Sequence, residues 1–480
     1  MTDSIPLQQS DLIFSTATAD IRNALAGLKR SNLTITNRLH SIQKDADFVQ
    51  RVASSSGLPL IANERCGSWY IPPLAKAGSA YFKSTDGHFG QWGFSLRRLN
   101  LQVLDIVGER GGYVARVVAH DNLCFERKYV ANLSLSCIVV DSTRRGKSMP
   151  DALSKTVPIW ICVLNRLLFP HNVEACVLHT PDDVVSESEH AQMEGRISAF
   201  VDGLRSLSLD WESLRSRLAH KPMIPGWVTP ASDVASASHV HRPIEAYHKV
   251  TLCTASSCVS GELHTSSDYV QGAADDSESW ACGLDASTFW QHGERLLLAT
   301  EDELPPLIST LMAESRAVSF LQPPVQVKQT SIWIGTNAIA ETTPDNWSVV
   351  ISCQPKPSVV LASRLKARYV HMPCATGKVG SRQLRAQLPK LCHLPVLPSP
   401  DAKLLVACPT SRDLAVGIAL AIICLHCRDD GSFMQVSSAE NLPEPSKSKI
   451  KQRLAWIMVS MTDASPSRAT LQSVNAFLMG

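Results

Sequence analysis

The stretch LSLSCIVVDSTRRGK, residues Leu133–Lys147, decides the fold. Leu133–Val140 is apolar and rich in Val, Ile and Leu, and the run ends in an abrupt polar turn. That pattern predicts a buried strand leading into a loop. The loop gathers the Asp141 carboxylate, the Ser142 and Thr143 hydroxyls, the Arg144 and Arg145 guanidiniums, Gly146 and the Lys147 ammonium. In open α/β sheets ligands sit at the carboxyl ends of strands. Two forked donors, a point charge and a glycine that admits a close backbone approach suit an anion there. The plainer alternative is a solvated basic turn.

Around this strand the chain reads as an α/β protein. Helical spacing over Asp20–Val52 predicts one or two amphipathic helices. Leu60-Ile61, Trp69–Ile71, Leu101–Val107, Tyr113–Ala119 and Val250–Cys253 read as strands. Val157–Phe169, Asp182–Glu212 and Ser287–Leu298 read as helices. A second loop that can contact phosphate is Lys83-Ser84-Thr85-Asp86-Gly87-His88, which is not a Walker motif. Asp151, Ser154 and Lys155 add polar groups before the helix at Val157, whose start would favour an anion. A turn ending in Asp275 and Asp276 offers adjacent carboxylates for Mg2+ or for proton abstraction.

The chain has 480 residues, 44% of them hydrophobic and 19% charged, enough for more than one globular domain. A proline-rich connector over Glu301–Pro324 sets the expected boundary, with domains at 1–322 and 323–480. The second is a compact series. Strands are expected at Ser331–Ile334, Trp347–Ser352, Tyr369–Met372 and Lys403–Ala407, and helices at Ser381–Leu388, Leu414–Cys427, Ile450–Met461 and Thr470–Leu478. No internal repeat is visible. No secretory signal or bilayer-length apolar run is seen, and the 14 cysteines follow no disulfide rhythm, so a cytoplasmic location and no membrane are expected.

Net charge is only +2, but it is unevenly placed. Glu262–Glu303 holds ten acids and one base, and Lys356–Arg412 ten bases and one acid. The basic segment, with Lys378, Arg382 and Arg385 at its centre and Arg412 at its end, is the candidate surface for a nucleic acid.

Ala407-Cys408-Pro-Thr-Ser-Arg412-Asp413, with a strand before and a helix after, resembles the phosphate loop of dual-specificity phosphatases. The family's histidine is replaced by Ala407, its arginine comes early, and its loop glycine is absent. The second domain is therefore expected to keep that three-layer α/β fold without the activity. A cysteine-dependent phosphatase or phosphate-binding module using Cys408 is the alternative function.

Five blocks in order carry a wider resemblance: FKSTDGHFGQWGFSLRRLN (82–100), DSTRRGKSMPDALSKTVPIW (141–160), YVQGAADD (269–276), HMPCATGKVGSR (371–382) and SRATLQSVNAFLMG (467–480). Together they resemble the initiator-tRNA phosphoribosyl transferase family of fungi and plants. The resemblance implies transfer of ribosyl phosphate from phosphoribosyl pyrophosphate to the 2′-hydroxyl of a T-stem adenosine in initiator methionine tRNA. The adduct excludes that tRNA from elongation. It implies an α+β donor-binding domain, with Lys83–His88 and Ser142–Lys147 as the anion loops. Asp275 and Asp276 are expected to hold Mg2+ or to supply the catalytic base, with Asp141 or Asp86 the alternative base. No obligate protein partner is evident.

Overall fold

All six residues of the strand Ser136–Asp141 are buried. A strand covered on both faces has no solvent side to alternate toward, so its side chains read as a continuous apolar run. The computed structural model describes residues 33–108, 113–115, 127–129, 136–207, 209–232, 246–259, 268–318, 323–327, 330–375, 377–394, 402–434, 445–461 and 464–480. The strands of its first half are β1 (Leu60–Asn63), β2 (Lys76–Ala80), β3 (Tyr113–Ala115), β4 (Arg127–Tyr129), β5 (Ser136–Asp141), β6 (Met223–Val228) and β7 (His248–Thr254). β3 and β4 pair antiparallel on their own. The other five form one parallel sheet in the order β2-β1-β5-β7-β6.

Alternate residues of β5 feed two cores. Cys137 and Val139 pack with the helix Val157–Leu168, while Ile138 and Val140 pack with the helix Ile35–Ser56, Trp69 and Phe289. The helix Ile35–Ser56 begins on the Thr34 hydroxyl and ends at Gly57 with φ of 68°. From β1 the chain moves to β2 on one side; from β5 it continues to β6 and β7 on the other. The order therefore reverses between β1 and β5, and their carboxyl ends border a crevice at that switch point.

The second half repeats the logic with β8 (Val325–Gln326), β9 (Ile332–Thr336), β10 (Val349–Cys353), β11 (Tyr369–Met372) and β12 (Leu404–Cys408), in the order β11-β10-β12-β9-β8. Only β8 is antiparallel to its neighbour. The helix Leu414–His426, buried at every position, lies behind β12. The helix Lys447–Ser460 touches both halves. Its Ile450, Leu454 and Ile457 join the second core, and Ala455 and Val459 join the first.

Two local expectations are corrected. Leu101–Val107 is not a strand; Gln102–Gly108 is helical, and Val103, Leu104 and Val107 are buried at helical spacing. Trp69–Ile71 is not a strand either. Gly67–Tyr70 forms a 3-10 turn that buries Trp69 and Tyr70 against the core instead of offering a ladder edge. Residues 116–119 of the strand expected over Tyr113–Ala119 lie outside the described residues. So do the first residues of the Asp20–Val52 segment.

Candidate active site

At the switch point Asn63, the last residue of β1, donates from Nδ2 to Asp141 Oδ2, the last residue of β5, at 2.8 Å. Two residues beyond Asn63, Arg65 spans the crevice. Its Nη2 reaches Asp141 Oδ1 at 2.8 Å and its Nη1 reaches Asp275 Oδ1 at 2.9 Å, while Nη2 also donates to the Ser142 carbonyl. A guanidinium fork can bridge two carboxylates; an ammonium offers no such fixed geometry.

The two carboxylates differ in what remains open. Asp141 Oδ1 also accepts from the Ser142 N–H at 2.8 Å and from the Cys66 thiol at 3.0 Å, and Oδ2 from Asn63. Asp141 is saturated. Asp275 Oδ1 takes the Arg65 bond and a long one from Ser142 Oγ, whereas among the described residues Oδ2 faces Arg144 Nε at 3.9 Å, beyond hydrogen-bond range. Burial pushes the Asp275 carboxyl up and Arg65 holds it back, with a net rise. Burial opposes the charge on Arg65, but the negative groups around it, Asp141 and Asp275 among them, raise its pKa and fix it as a cation.

The turn carrying Asp275 is clamped from behind. Ser41 Oγ accepts from the Val270 N–H at 2.8 Å, Arg38 Nη1 donates to the Ala273 carbonyl at 2.9 Å, and the Asp275 carbonyl accepts from Trp280 Nε1 at 3.1 Å. Gly272 has φ of 65°, and a Cβ there would stand 2.6 Å from the Thr143 carbonyl, so only glycine lets this turn close on the 142–147 loop. Gln271 seals the contact. Its Oε1 accepts from the Gly146 N–H and its Nε2 donates to the Lys147 carbonyl, each at 2.8 Å. Arg144 pairs with the exposed Asp276.

Both expected anion loops converge on Asp151. Lys147 Nζ lies 2.9 Å and His88 Nε2 3.8 Å from the same oxygen, Asp151 Oδ2. Gly87 packs so tightly there that a Cβ would lie 2.5 Å from the Asp151 carbonyl. Thr156 Oγ1 donates to the Lys83 carbonyl at 2.9 Å. Residues Ala152–Thr156 form a π-helical turn, a distortion frequent at functional sites. Within it Lys155 is buried and pairs with Glu189 at 2.7 Å and Asp151 at 3.4 Å. Ser84 and Thr85 precede Asp86 in a 3-10 turn, and burial raises the Asp86 carboxyl. Arg145 is exposed and, with Gly146, takes a left-handed φ.

Arg65 was not among the expected site residues. Its signal is present: Leu58–Ala62 is a second apolar run ending in a polar, glycine-containing turn, Asn63-Glu-Arg-Cys-Gly67, just as β5 does. Among the described residues no group of three or more His, Cys, Asp or Glu could hold a metal ion.

In the second half, Cys408 ends β12 and is buried, and Arg412 is exposed. Asp413 Oδ1 accepts from the Ser467 N–H at 2.8 Å and from Thr470 Oγ1 at 2.6 Å, tying the loop to the last helix, Arg468–Leu478. Arg382 and Arg385 stand exposed one turn apart on the helix Gly377–Gln387, while Leu384 and Leu388 are buried; the Lys378 side chain lies outside the described residues. Arg98 Nη2 from the first half donates to Ser465 Oγ at 2.9 Å, and the Ser465 N–H donates to the Arg412 carbonyl at 2.8 Å. The phosphatase-like loop thus lies beside the first half. No helix among the described residues is long and apolar enough to cross a membrane.

Residues 28–119 and 127–313 match the family described as the Rit1 N-terminal domain, and residues 368–478 match the Rit1 DUSP-like domain. An uncharacterised protein of Schizosaccharomyces pombe is 34% identical, covering 92% of this chain and 94% of its own. The tRNA A64-2′-O-ribosylphosphate transferase of Saccharomyces cerevisiae is 30% identical, covering 94% of this chain and 93% of its own. Among solved structures, the PTP-2 phosphatase of Cydia pomonella is similar at 11% identity over 32% of this chain and 90% of that one, with a TM-score of 0.23, too low to carry an argument. With both domain descriptions matched and a relative aligned nearly end to end, the chain belongs to the Rit1 family.

Proposed function

We propose that this protein transfers ribosyl 5-phosphate from phosphoribosyl pyrophosphate to the 2′-hydroxyl of a T-stem adenosine in cytoplasmic initiator methionine tRNA. The observation that carries this reading is the similarity, along almost the whole of both chains, to the S. cerevisiae transferase. Residues 1–322 bind the donor and residues 323–480 help to hold the tRNA. The donor's phosphate and pyrophosphate engage the loops Lys83–His88 and Ser142–Lys147, with Lys147 exchanging its Asp151 contact for a donor oxygen. The Asp275 carboxylate, through its open Oδ2, takes the acceptor hydroxyl's proton. The acceptor oxygen then bonds to the anomeric carbon, the bond from that carbon to the pyrophosphate oxygen breaks, and pyrophosphate departs.

Arg65 keeps Asp275 aimed, and Asp141 keeps Arg65 in place. Preorganised charge of this kind acts without reorganisation during the reaction. A Mg2+ ion would be shared between the protein and the donor. Asp276, at the rim beside Asp275, would hold it together with donor oxygens, since Mg2+ takes one or two carboxylates plus substrate phosphates. When bound, the ion neutralises charge on the pyrophosphate.

The test is incubation of the full chain with Mg2+, donor labelled in its 5-phosphate and unfractionated tRNA. Label confined to initiator methionine tRNA supports the reading; no labelled tRNA refutes it. For the second half, Arg382→Glu is expected to weaken tRNA binding and to flatten its salt dependence by about one released ion for each phosphate that Arg382 neutralises. Filter binding across a salt series reads both, and an affinity independent of salt would remove the basic helix from the tRNA interface.

A further inference from the structure

The 3-10 turn Gly67–Tyr70 does more than fill the core. A Cβ at Gly67 would stand 2.4 Å from the Val140 carbonyl, so glycine lets the turn press against the end of β5. That carries the buried Tyr70 phenol to the place where the 142–147 loop meets the Asp275 turn. Its oxygen lies 3.3 Å from the Ala274 nitrogen and 3.1 Å from Ser142 Oγ. Donor and acceptor roles fix the direction of each bond. A backbone N–H can only donate, so the phenol oxygen accepts from Ala274 and its proton goes to Ser142. The Cys66 thiol, 3.3 Å from Ser142 Oγ, gives its own proton to Asp141 Oδ1 at 3.0 Å. Ser142 therefore receives a bond from Tyr70 and keeps its proton for an acceptor. Sulfur accepts weakly and a carboxylate strongly, so that proton points to Asp275 Oδ1, at 3.5 Å. The chain runs from the Ala274 N–H through Tyr70 and Ser142 to Asp275 Oδ1, the oxygen that Arg65 holds at 2.9 Å.

We infer that Tyr70 is a positioning residue for the transfer: its hydroxyl aims the Ser142 hydroxyl at Asp275 Oδ1 and so keeps Oδ2 turned toward the acceptor. This rests on the proposed function, in which Oδ2 takes the acceptor's proton. A base abstracts a proton only from within hydrogen-bond reach, and a small misplacement of it costs rate. The phenol also joins the loop assigned to the donor to the turn assigned to the base, so that the two hold one spacing. Tyr70 touches neither substrate; it acts through Ser142 and Ala274.

The experiment compares wild type with Tyr70→Phe, Ser142→Ala and the double variant as full-length chains, all assayed well below the unfolding midpoint of the least stable one. Single-turnover and steady-state transfer are measured beside donor affinity by calorimetry. Tyr70→Phe removes one oxygen and leaves the packed ring. It is expected to lower kcat and the single-turnover rate by about tenfold, the worth of one ordinary hydrogen bond, with donor affinity and the KM for tRNA unchanged. Ser142→Ala is expected to lower the rate at least as far, and adding Tyr70→Phe to it to lower the rate no further, because the phenol acts through the serine. A wild-type rate in Tyr70→Phe overturns the inference. So do losses that multiply in the double variant, and so does a donor affinity that falls as far as the rate, which would mean that the loop has only slackened. If wild type labels no tRNA, the proposed function fails in the control itself. The clamp is then judged on the crystal structure of Tyr70→Phe: an Asp275 carboxylate that has turned away from Ser142 sustains it, and one in its wild-type orientation rejects it.

Discussion

Arg65→Ala is expected to destabilise the protein by about 3–5 kcal/mol and to abolish transfer, because it strands two carboxylates that have Arg65 as their close cation. Asp141 is wholly buried and Asp275 nearly so. Removing one member of a buried charge network costs more than the pair is worth, since the remaining charge cannot be solvated. Arg65→Lys separates the two consequences. A lysine restores a positive charge and recovers part of the stability. It cannot reach Asp141 and Asp275 together in a forked arrangement, so transfer stays low. Thermal unfolding and single-turnover transfer on the two variants check this. An Arg65→Lys protein with full activity would mean that charge alone, and not the bridge, orients the site.

Asp275→Asn is expected to lower single-turnover transfer by about a hundredfold to ten-thousandfold, the range lost with a general base. The amide oxygen can still accept from Arg65, so the fold and donor affinity should survive. Asp275 also predicts a pH profile. Its carboxyl is raised above the ordinary carboxylate value by burial. A base with a raised pKa works when ionised, so the rate falls as pH drops through that raised value, earlier than an exposed aspartate would allow. The Asn variant should lose this limb. The raised pKa carries a linked stability effect of fixed sign: relative to Asp275→Asn, the wild type loses stability as pH climbs from the unfolded aspartate's pKa through the folded one. If Asp275→Asn keeps its rate and its acid limb, the proton goes elsewhere, with Asp86 and its similarly raised carboxyl next in line.

What could be read from the residues follows from where burial is total. β5 and β12 are buried on both faces, so both sheets and the polar turns at their carboxyl ends were visible as apolar runs ending in polar turns. The two loops were visible because cations, hydroxyls and glycine are crowded there, and the Asp275-Asp276 turn because its carboxylates are adjacent. Their convergence was not. Lys147 and His88 are 59 residues apart in the chain and meet at Asp151, where Gly87 packs onto the Asp151 carbonyl. Arg65 was missed because its strand is four residues long and its partners lie 76 and 210 positions downstream. The segment Leu101–Val107 misled because β-branched residues favour strands weakly, while the surface that this segment covers runs along one helical face. The difference between Asp141 and Asp275 is a matter of which oxygen is already occupied, and no spacing encodes that.

In the proposed mechanism the donor enters the crevice between β1 and β5 and is held there by the 142–147 loop. The most direct measurement is calorimetric titration of phosphoribosyl pyrophosphate, with Mg2+, into the full chain and into its Arg144→Ala and Lys147→Ala variants, beside tRNA binding to the same proteins. Donor affinity is expected to be abolished or strongly reduced in both variants, with tRNA affinity unchanged. Donor affinity equal to wild type, or tRNA affinity falling while donor affinity holds, would contradict it.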